Sequence, residues 1–172
     1  MSVPLIPFSF VRHGQTDSNA KRLIVGSELD VPLNDFGRMQ AHDLKTTISR
    51  IEPQAVCYSP MRRAQETMEI ATQGLNVDRI EIPELGECSA NVWLQMTSGE
   101  MDNEVEIFLE RVVRGVGKAL MFGTPVLVFG HGGTHFALCH LCNIKEHPWK
   151  INNCDVVYFE PRKQNWEARL LP

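Results

Sequence analysis

The sequence has no hydrophobic run long enough to cross a membrane and no surplus of basic residues. A membrane-spanning helix needs about 20 consecutive apolar residues, and no run in this chain of 172 residues approaches that length. Seventeen Lys and Arg residues stand against twenty-one Asp and Glu residues, a net charge of -4. Neutralising a nucleic-acid backbone requires a basic excess. We therefore expect neither a membrane nor a nucleic acid as a partner.

Cysteine is too scarce and too irregularly spaced for a disulfide framework. The chain has five cysteines, an odd number, which favours free thiols in a reducing compartment. Residues 1–10 contain no basic segment ahead of an apolar one and are not typical of a signal or transit peptide. These features predict a cytoplasmic protein.

The residues that are present suffice for one substantial core. Hydrophobic residues make up 43% of the chain, and its length is close to the usual size of a single domain, about 100 to 150 residues. The sequence has no internal repeat and no low-complexity linker. We expect a single domain over residues 1–172.

Short apolar runs alternate with segments of helical periodicity. The runs predict β-strands at residues 6–11, 55–58, 79–82, 125–129 and 155–159. Between them, apolar spacing predicts one helix capped by Asn34, one that follows Pro60 and ends near Gly74, and one that covers residues 105–120. This alternation predicts an α/β fold, a three-layer α/β/α sandwich with a mainly parallel sheet and an antiparallel hairpin at residues 155–171. Residues 84–101 lack periodicity and predict a surface loop.

Two predicted strands end in a histidine next to glycine. His13 lies in the segment RHG after the first strand, and His131 lies in GHGG after the fourth. The carboxyl ends of parallel strands face the binding crevice of such a sheet, so the two histidines could meet at one ligand. The peptide N–H groups of Gly132 and Gly133, at the start of the next helix, favour an anion.

Two arginines begin another predicted helix at the same edge of the sheet. Arg62 and Arg63 follow a strand within the segment SPMRRA. One guanidinium group can bind two phosphate oxygens at once. Arg63 is the preferred phosphate ligand, and Arg62 is expected at the surface or the rim. The sequence therefore predicts a phosphate site.

These motifs resemble those of the histidine phosphatase superfamily, also called phosphoglycerate mutase-like. The pattern RHGxTxxN is met at residues 12–19, DxPLxxxGxxQA at 30–41, SPxxRAxxT at 59–67 and GHGGT at 130–134. Asn153 and Cys154 resemble a late loop of the family. The acid motif ExxxGxW is met at residues 87–93, except that Asn91 stands where the family usually has glycine. The resemblance covers residues 8–170 and implies the phosphoglycerate mutase-like fold.

The resemblance also implies roles for the site residues. His13 would be the nucleophile that takes the phosphoryl group, with Arg12, Arg63 and His131 around the phosphate. Further hydrogen bonds to the phosphate are expected from Thr16, Asn19 and Gly132. Cationic side chains can supply the charge stabilisation that phosphoryl transfer requires. No metal and no organic cofactor are expected.

Glu87 would act as general acid and then as general base. Glu84 competes for this role because it lies three residues away in the same segment. Asn91 breaks the acid motif, but asparagine tolerates a left-handed backbone conformation better than most residues do.

Two close pairs of metal-binding residue types have structural explanations. His131 and His135 have the spacing of zinc ligands on a helix, but no third ligand follows at the usual offset. Cys139 and Cys142 lie in an apolar helical pattern, which predicts buried thiols and not a redox or zinc pair.

The sequence predicts a metal-independent phosphatase that hydrolyses phosphomonoesters through a phosphohistidine on His13. Its partner would be a phosphorylated small molecule or a phosphohistidine protein. One alternative is a mutase of the phosphoglycerate mutase type. The other is a non-catalytic phospholigand-binding protein, supported only by Asn91. Lys21 and Arg22 are expected in solvent or at the rim of the pocket.

Overall fold

The protein is a six-stranded sheet with helices on both faces. The computed structural model describes residues 2–163 and 165–172. The strands are β1 (Phe8–Arg12), β2 (Ala55–Tyr58), β3 (Asp78–Glu81), β4 (Val126–Gly130), β5 (Val156–Pro161) and β6 (Trp166–Leu171). The helices are α1 (Asp17–Ala20), α2 (Asp35–Ile51), α3 (Arg62–Ala71), α4 (Ala90–Ser98), α5 (Asn103–Ala119) and α6 (Gly132–Leu141), with 3-10 turns at Pro83–Leu85 and Leu120–Phe122.

The sheet is mainly parallel, as the sequence predicts. Its strand order is β3-β2-β4-β1-β5-β6. The first four strands in this order are parallel, whereas β5 runs antiparallel to β1 and forms the predicted terminal hairpin with β6. The predicted α/β fold with a central sheet is confirmed.

Alternation along the strands produces two separate cores. On one face, Phe10 and Val128 pack with the buried residues of α4, α5 and α6. On the other, Val11 and Leu127 pack with the buried residues of α2 and α3. Because successive strand residues point to opposite faces, a strand buried on both sides is apolar throughout, as β4 is.

The predicted surface loop at residues 84–101 is wrong, because it contains helix α4. Ser89 caps this helix by accepting a hydrogen bond from the Val92 N–H at 3.1 Å, and Gly99 ends it with φ of 86°. Only Val92 and Met96 are buried along its nine residues, so one apolar pair gives no detectable period. Asn91 lies inside this helix, so it does not adopt the left-handed conformation that asparagine tolerates.

Helix α2 begins where the sequence predicts, whereas α3 ends a few residues early. Helix α2 begins after Asn34, whose side chain accepts from the Gly37 N–H at 2.8 Å. Helix α3 ends at Ala71, earlier than the predicted end near Gly74, which has φ of 87°. Helix α1 has no buried residue and therefore no apolar signal. No helix within the described ranges is long and apolar enough to span a membrane.

Strand register brings three chain segments to one edge of the sheet. Arg12 at the end of β1 pairs with Gly130 at the end of β4, and Tyr58 at the end of β2 pairs with Phe129. The next residues continue this alignment, since the His13 N–H donates to the Gly130 carbonyl at 3.0 Å. His13, His131 and the start of α3 consequently share this edge.

Candidate active site

His13 is buried, and one of its ring nitrogens carries a free lone pair. Its exposed fraction is 3%, and Nδ1 lies 2.8 Å from the Gly14 carbonyl oxygen. A carbonyl only accepts, so Nδ1 carries the proton and Nε2 has its lone pair. Burial, followed by the charges of Arg63 and Arg12, holds the pKa of His13 well below its usual range. The imidazole is therefore neutral at physiological pH, as a nucleophile must be.

His131 lies beside His13 with one nitrogen bonded and the other unpaired. The two ring centroids are 5.2 Å apart. Nε2 of His131 lies 2.7 Å from the Ser59 hydroxyl oxygen, whereas the buried Nδ1 has no partner among the described residues. Burial is the main cause of a pKa well below the usual range, and the charge of Arg63 comes next.

Arg12 and Arg63 each leave a buried guanidinium nitrogen unpaired within the described part of the chain. One nitrogen of each group is occupied: Arg12 Nη1 donates to the Ile151 carbonyl, and Arg63 Nη1 donates to the Leu29 carbonyl at 3.0 Å. The unpaired nitrogens are Arg12 Nε and Arg63 Nη2. An unpaired buried donor costs about 1–3 kcal/mol, and more if it is charged.

The unpaired donors indicate an anion site. Arg12 and Arg63 each contribute one. His131 contributes Nδ1–H in the tautomer whose Nε2 accepts from the Ser59 hydroxyl. Both guanidinium charges lower the pKa of both imidazoles. The two arginines and His131 therefore lie close together around His13. A tetrahedral oxyanion such as phosphate would satisfy several of these N–H groups at once.

Glu87 lies at the N-terminus of α6, next to this site. One carboxylate oxygen accepts from the Gly133 N–H at 3.1 Å, and the other accepts from its neighbour, the Cys88 N–H, at 2.9 Å. Arg111 donates to the backbone carbonyl of Glu87 at 2.9 Å. A Cβ at Gly133 would come within 2.2 Å of a Glu87 carboxylate oxygen. Glycine at this position is therefore what lets the carboxylate reach the helix.

Glu84, the competing carboxylate, points away from the site. It forms an ion pair with Lys118 on α5, and this hydrogen bond is the main reason that its pKa is lowered. Its backbone packs against Gly115, where a Cβ would lie 3.1 Å from the Glu84 carbonyl carbon. Burial lowers the pKa of Arg12 and of Arg63, and Glu87 is the carboxylate that most opposes this lowering in both.

The three expected supporting residues have different positions. Thr16 is buried and caps α1, where its hydroxyl accepts from the Asn19 N–H at 3.2 Å and Asn19 Oδ1 accepts from the Thr16 N–H at 3.1 Å. Asn19 and Gly132 line a cavity of about 330 Å³ together with Arg12 and Glu87, whereas Thr16 does not. The geometry gives the Thr16 hydroxyl a capping role and places Asn19 and Gly132 in the wall of the cavity.

Two residues of the site have contacts that the sequence alone does not reveal. Ser59 bonds the ring of His131 across 72 positions. Asn153 donates to the His13 carbonyl at 2.9 Å and to the Asn19 side chain at 3.1 Å. Both residues lie in motifs of the sequence, and motif membership is the signal that the sequence offers for their importance. Contacts at such separations depend on the tertiary fold.

The other side chains of the two close histidine and cysteine pairs are buried and packed in the fold. His135 is buried, its Nδ1 lies 3.1 Å from the Trp149 carbonyl and its Nε2 lies 3.2 Å from Nε2 of His147. Cys139 and Cys142 are buried free thiols, as expected, and burial raises the pKa of Cys142 to about 12. Across residues 2–163 and 165–172, no three His, Cys, Asp or Glu side chains are grouped as metal ligands.

Comparison with known proteins places the chain in one family. The model of the histidine phosphatase superfamily, branch 1, matches residues 8–114. The uncharacterized phosphatase PhoE of Bacillus subtilis is 27% identical over 141 residues, which cover 74% of this chain and 72% of PhoE. Glucosyl-3-phosphoglycerate phosphatase of Mycolicibacterium vanbaalenii is 33% identical over 97 residues, 54% of this chain but only 40% of that relative.

A solved structure with the same fold covers almost the whole chain. Phosphoglycerate mutase from Thermus thermophilus superposes with a TM-score of 0.72 over 97% of both chains, at 22% identity. At this identity the similarity establishes the fold, and the family match establishes the relationship.

Proposed function

Because the chain belongs to the histidine phosphatase superfamily, we propose that it hydrolyses phosphomonoesters through a covalent phosphate on His13. Phosphatase-type activity accords with the names of its relatives. The substrate is proposed to be a phosphorylated small molecule, with a phosphohistidine protein as the alternative. The supporting observation is the set of unpaired buried donors beside a neutral histidine with a free Nε2.

The first step transfers the phosphoryl group to His13. Nε2 attacks phosphorus, the bond between phosphorus and the ester oxygen breaks, and the leaving oxygen takes a proton from the carboxyl group of Glu87. Arg12, Arg63 and His131 would donate hydrogen bonds to the phosphoryl oxygens, whose negative charge is stabilised in the transition state.

The second step returns the enzyme to its starting state. The Glu87 carboxylate removes a proton from water, and the water oxygen attacks phosphorus as the bond to Nε2 breaks. Inorganic phosphate leaves and His13 recovers its lone pair. Nδ1 would keep its proton and donate it to the Gly14 carbonyl throughout, so the ring keeps one orientation in both steps.

Activity is expected to be independent of divalent metal. Side chains already supply the cationic groups that a metal would otherwise provide at the phosphate. Phosphate release from p-nitrophenyl phosphate should therefore be the same, within error, before and after dialysis against EDTA. Loss of activity on chelation, with recovery on adding a divalent ion, would contradict this mechanism.

Hydrolysis is expected to outpace mutase chemistry. A mutase must shield its phosphoenzyme from water while the product turns. The cavity is bordered by Leu23 and Ile24, which are 57% and 52% exposed. Glu87 lines the same cavity and is half-buried, so water reaches the carboxylate that would activate it. With 3-phosphoglycerate as substrate, the rate of phosphate release should exceed the rate at which 2-phosphoglycerate forms. The second rate is measured in a coupled enolase assay. Isomerisation faster than phosphate release would favour the mutase alternative.

A further inference from the structure

One part of the cavity lining is apolar, in contrast to the polar part that holds Arg12, Asn19 and Glu87. The apolar part comes from Leu23, Ile24 and Val25 before α2 and from Trp93 on α4. Leu23 and Ile24 are more than half exposed. Adjacent exposed apolar side chains at the mouth of a cavity mark a surface that a ligand covers.

Two cations lie at the same rim without a counter-ion. Lys150 and Arg22 both line the cavity, and neither forms an ion pair with any described carboxylate. The Lys150 ammonium lies 5.8 Å from the centroid of the Trp93 ring, within cation–π range. Trp93 is itself held edge-to-face by Phe136, with ring centroids 5.6 Å apart. The ammonium is thus held at the rim and has no anionic partner among the described residues.

We propose that the substrate is a phosphomonoester whose leaving group has an apolar body and a second negative charge at its far end. The inference rests on the phosphatase function proposed above and adds the chemical class of the leaving group. The phosphate would occupy the arginine site beside Glu87, the apolar body would cover Leu23 and Ile24, and the distal anion would meet Lys150 and Arg22. A cavity of about 330 Å³ is at the lower end of the range for small-molecule sites, about 300–1,000 Å³.

The distal charge is tested with two esters of the same shape. They are 4-carboxyphenyl phosphate and its neutral amide, 4-carbamoylphenyl phosphate. The ratio of their kcat/KM values is compared between the wild type and Lys150→Gln, so that differences in leaving-group reactivity cancel. We expect Lys150→Gln to lower this ratio by about threefold to fivefold, the upper part of the range for an exposed ion pair. Lys145→Gln is the matched control, because Lys145 is exposed and lines a different depression.

The apolar body is tested in the same way. Ile24→Ser should lower the preference for cyclohexylmethyl phosphate over glycerol 3-phosphate by about fivefold, because the variant removes apolar surface that the ring would cover. Leu94→Ser is the control, since Leu94 is 52% exposed but does not line the cavity.

The outcomes separate this inference from the function on which it depends. If Lys150→Gln and Lys145→Gln leave the carboxylate preference equally unchanged, the distal anion site is overturned while hydrolysis by the wild type stands. If Ile24→Ser and Leu94→Ser behave alike, the apolar contact is overturned. If neither aryl ester is hydrolysed in a His13-dependent manner, the proposed function fails and this inference fails with it.

Discussion

Substituting His13 with alanine is expected to abolish phosphate release from every ester, whatever its leaving group. The covalent bond to Nε2 is part of each turnover, so no substrate bypasses it. We expect a loss of at least about 10⁴ in kcat/KM, comparable to the loss of a nucleophile in other covalent enzymes. The measurement is phosphate release from p-nitrophenyl phosphate and glycerol 3-phosphate, which should fall together.

The same variant should still bind an oxyanion, because it retains the unpaired donors of Arg12, Arg63 and His131. Vanadate should therefore raise its melting temperature, which also shows that the variant is folded. His42→Ala is the control, since His42 is an exposed residue of α2 and its loss should leave the rate unchanged. A His13→Ala variant with a rate near that of the wild type would mean that another group is the nucleophile.

Substituting Glu87 with glutamine should give a loss that depends on the leaving group. An alkoxide is a strong base and needs a proton as it departs, whereas p-nitrophenolate leaves unaided. General acid–base assistance is worth about 10²–10⁴ in rate. We expect a loss in this range on glycerol 3-phosphate and a distinctly smaller one on p-nitrophenyl phosphate, where only the activation of water is impaired. The measurement is kcat/KM on both substrates.

Glu84→Gln is the matched control for this experiment. Glu84 is paired with Lys118 on α5 and does not line the cavity that holds Glu87. Its loss should change neither rate by more than about twofold, as expected of a surface ion pair. A leaving-group dependence in Glu84→Gln and not in Glu87→Gln would reverse the assignment of the acid and leave the nucleophile in place.

The sequence predicts the elements whose burial is regular and misses those whose burial is not. Strand β4 is buried at every residue, and α5 buries eight residues at helical spacing, so both give strong signals. Helix α4 buries two residues, and α1 buries none. Their formation depends on caps and on neighbouring elements, which a search for hydrophobic periodicity does not detect.

The candidate site divides along the same line. His13, His131, Arg12 and Arg63 follow predicted strands or begin predicted helices, so topology alone brings them together. The choice between Glu87 and Glu84 could not be made from sequence, because it depends on which carboxylate reaches the N-terminus of α6 and which meets Lys118. The bond from Ser59 to His131 likewise depends on the packing of β2 against β4.

The register between β1 and β4 makes the site sensitive to the length of these strands. Arg12 pairs with Gly130, and each histidine is the next residue of its own strand segment. Inserting or deleting one residue in either strand would turn the following histidine to the opposite face of the sheet. That histidine would then point into one of the two cores without any change in the composition of the motif. In relatives of this chain, length changes should therefore be absent from these two strands and concentrated where no catalytic group lies, as between α4 and α5.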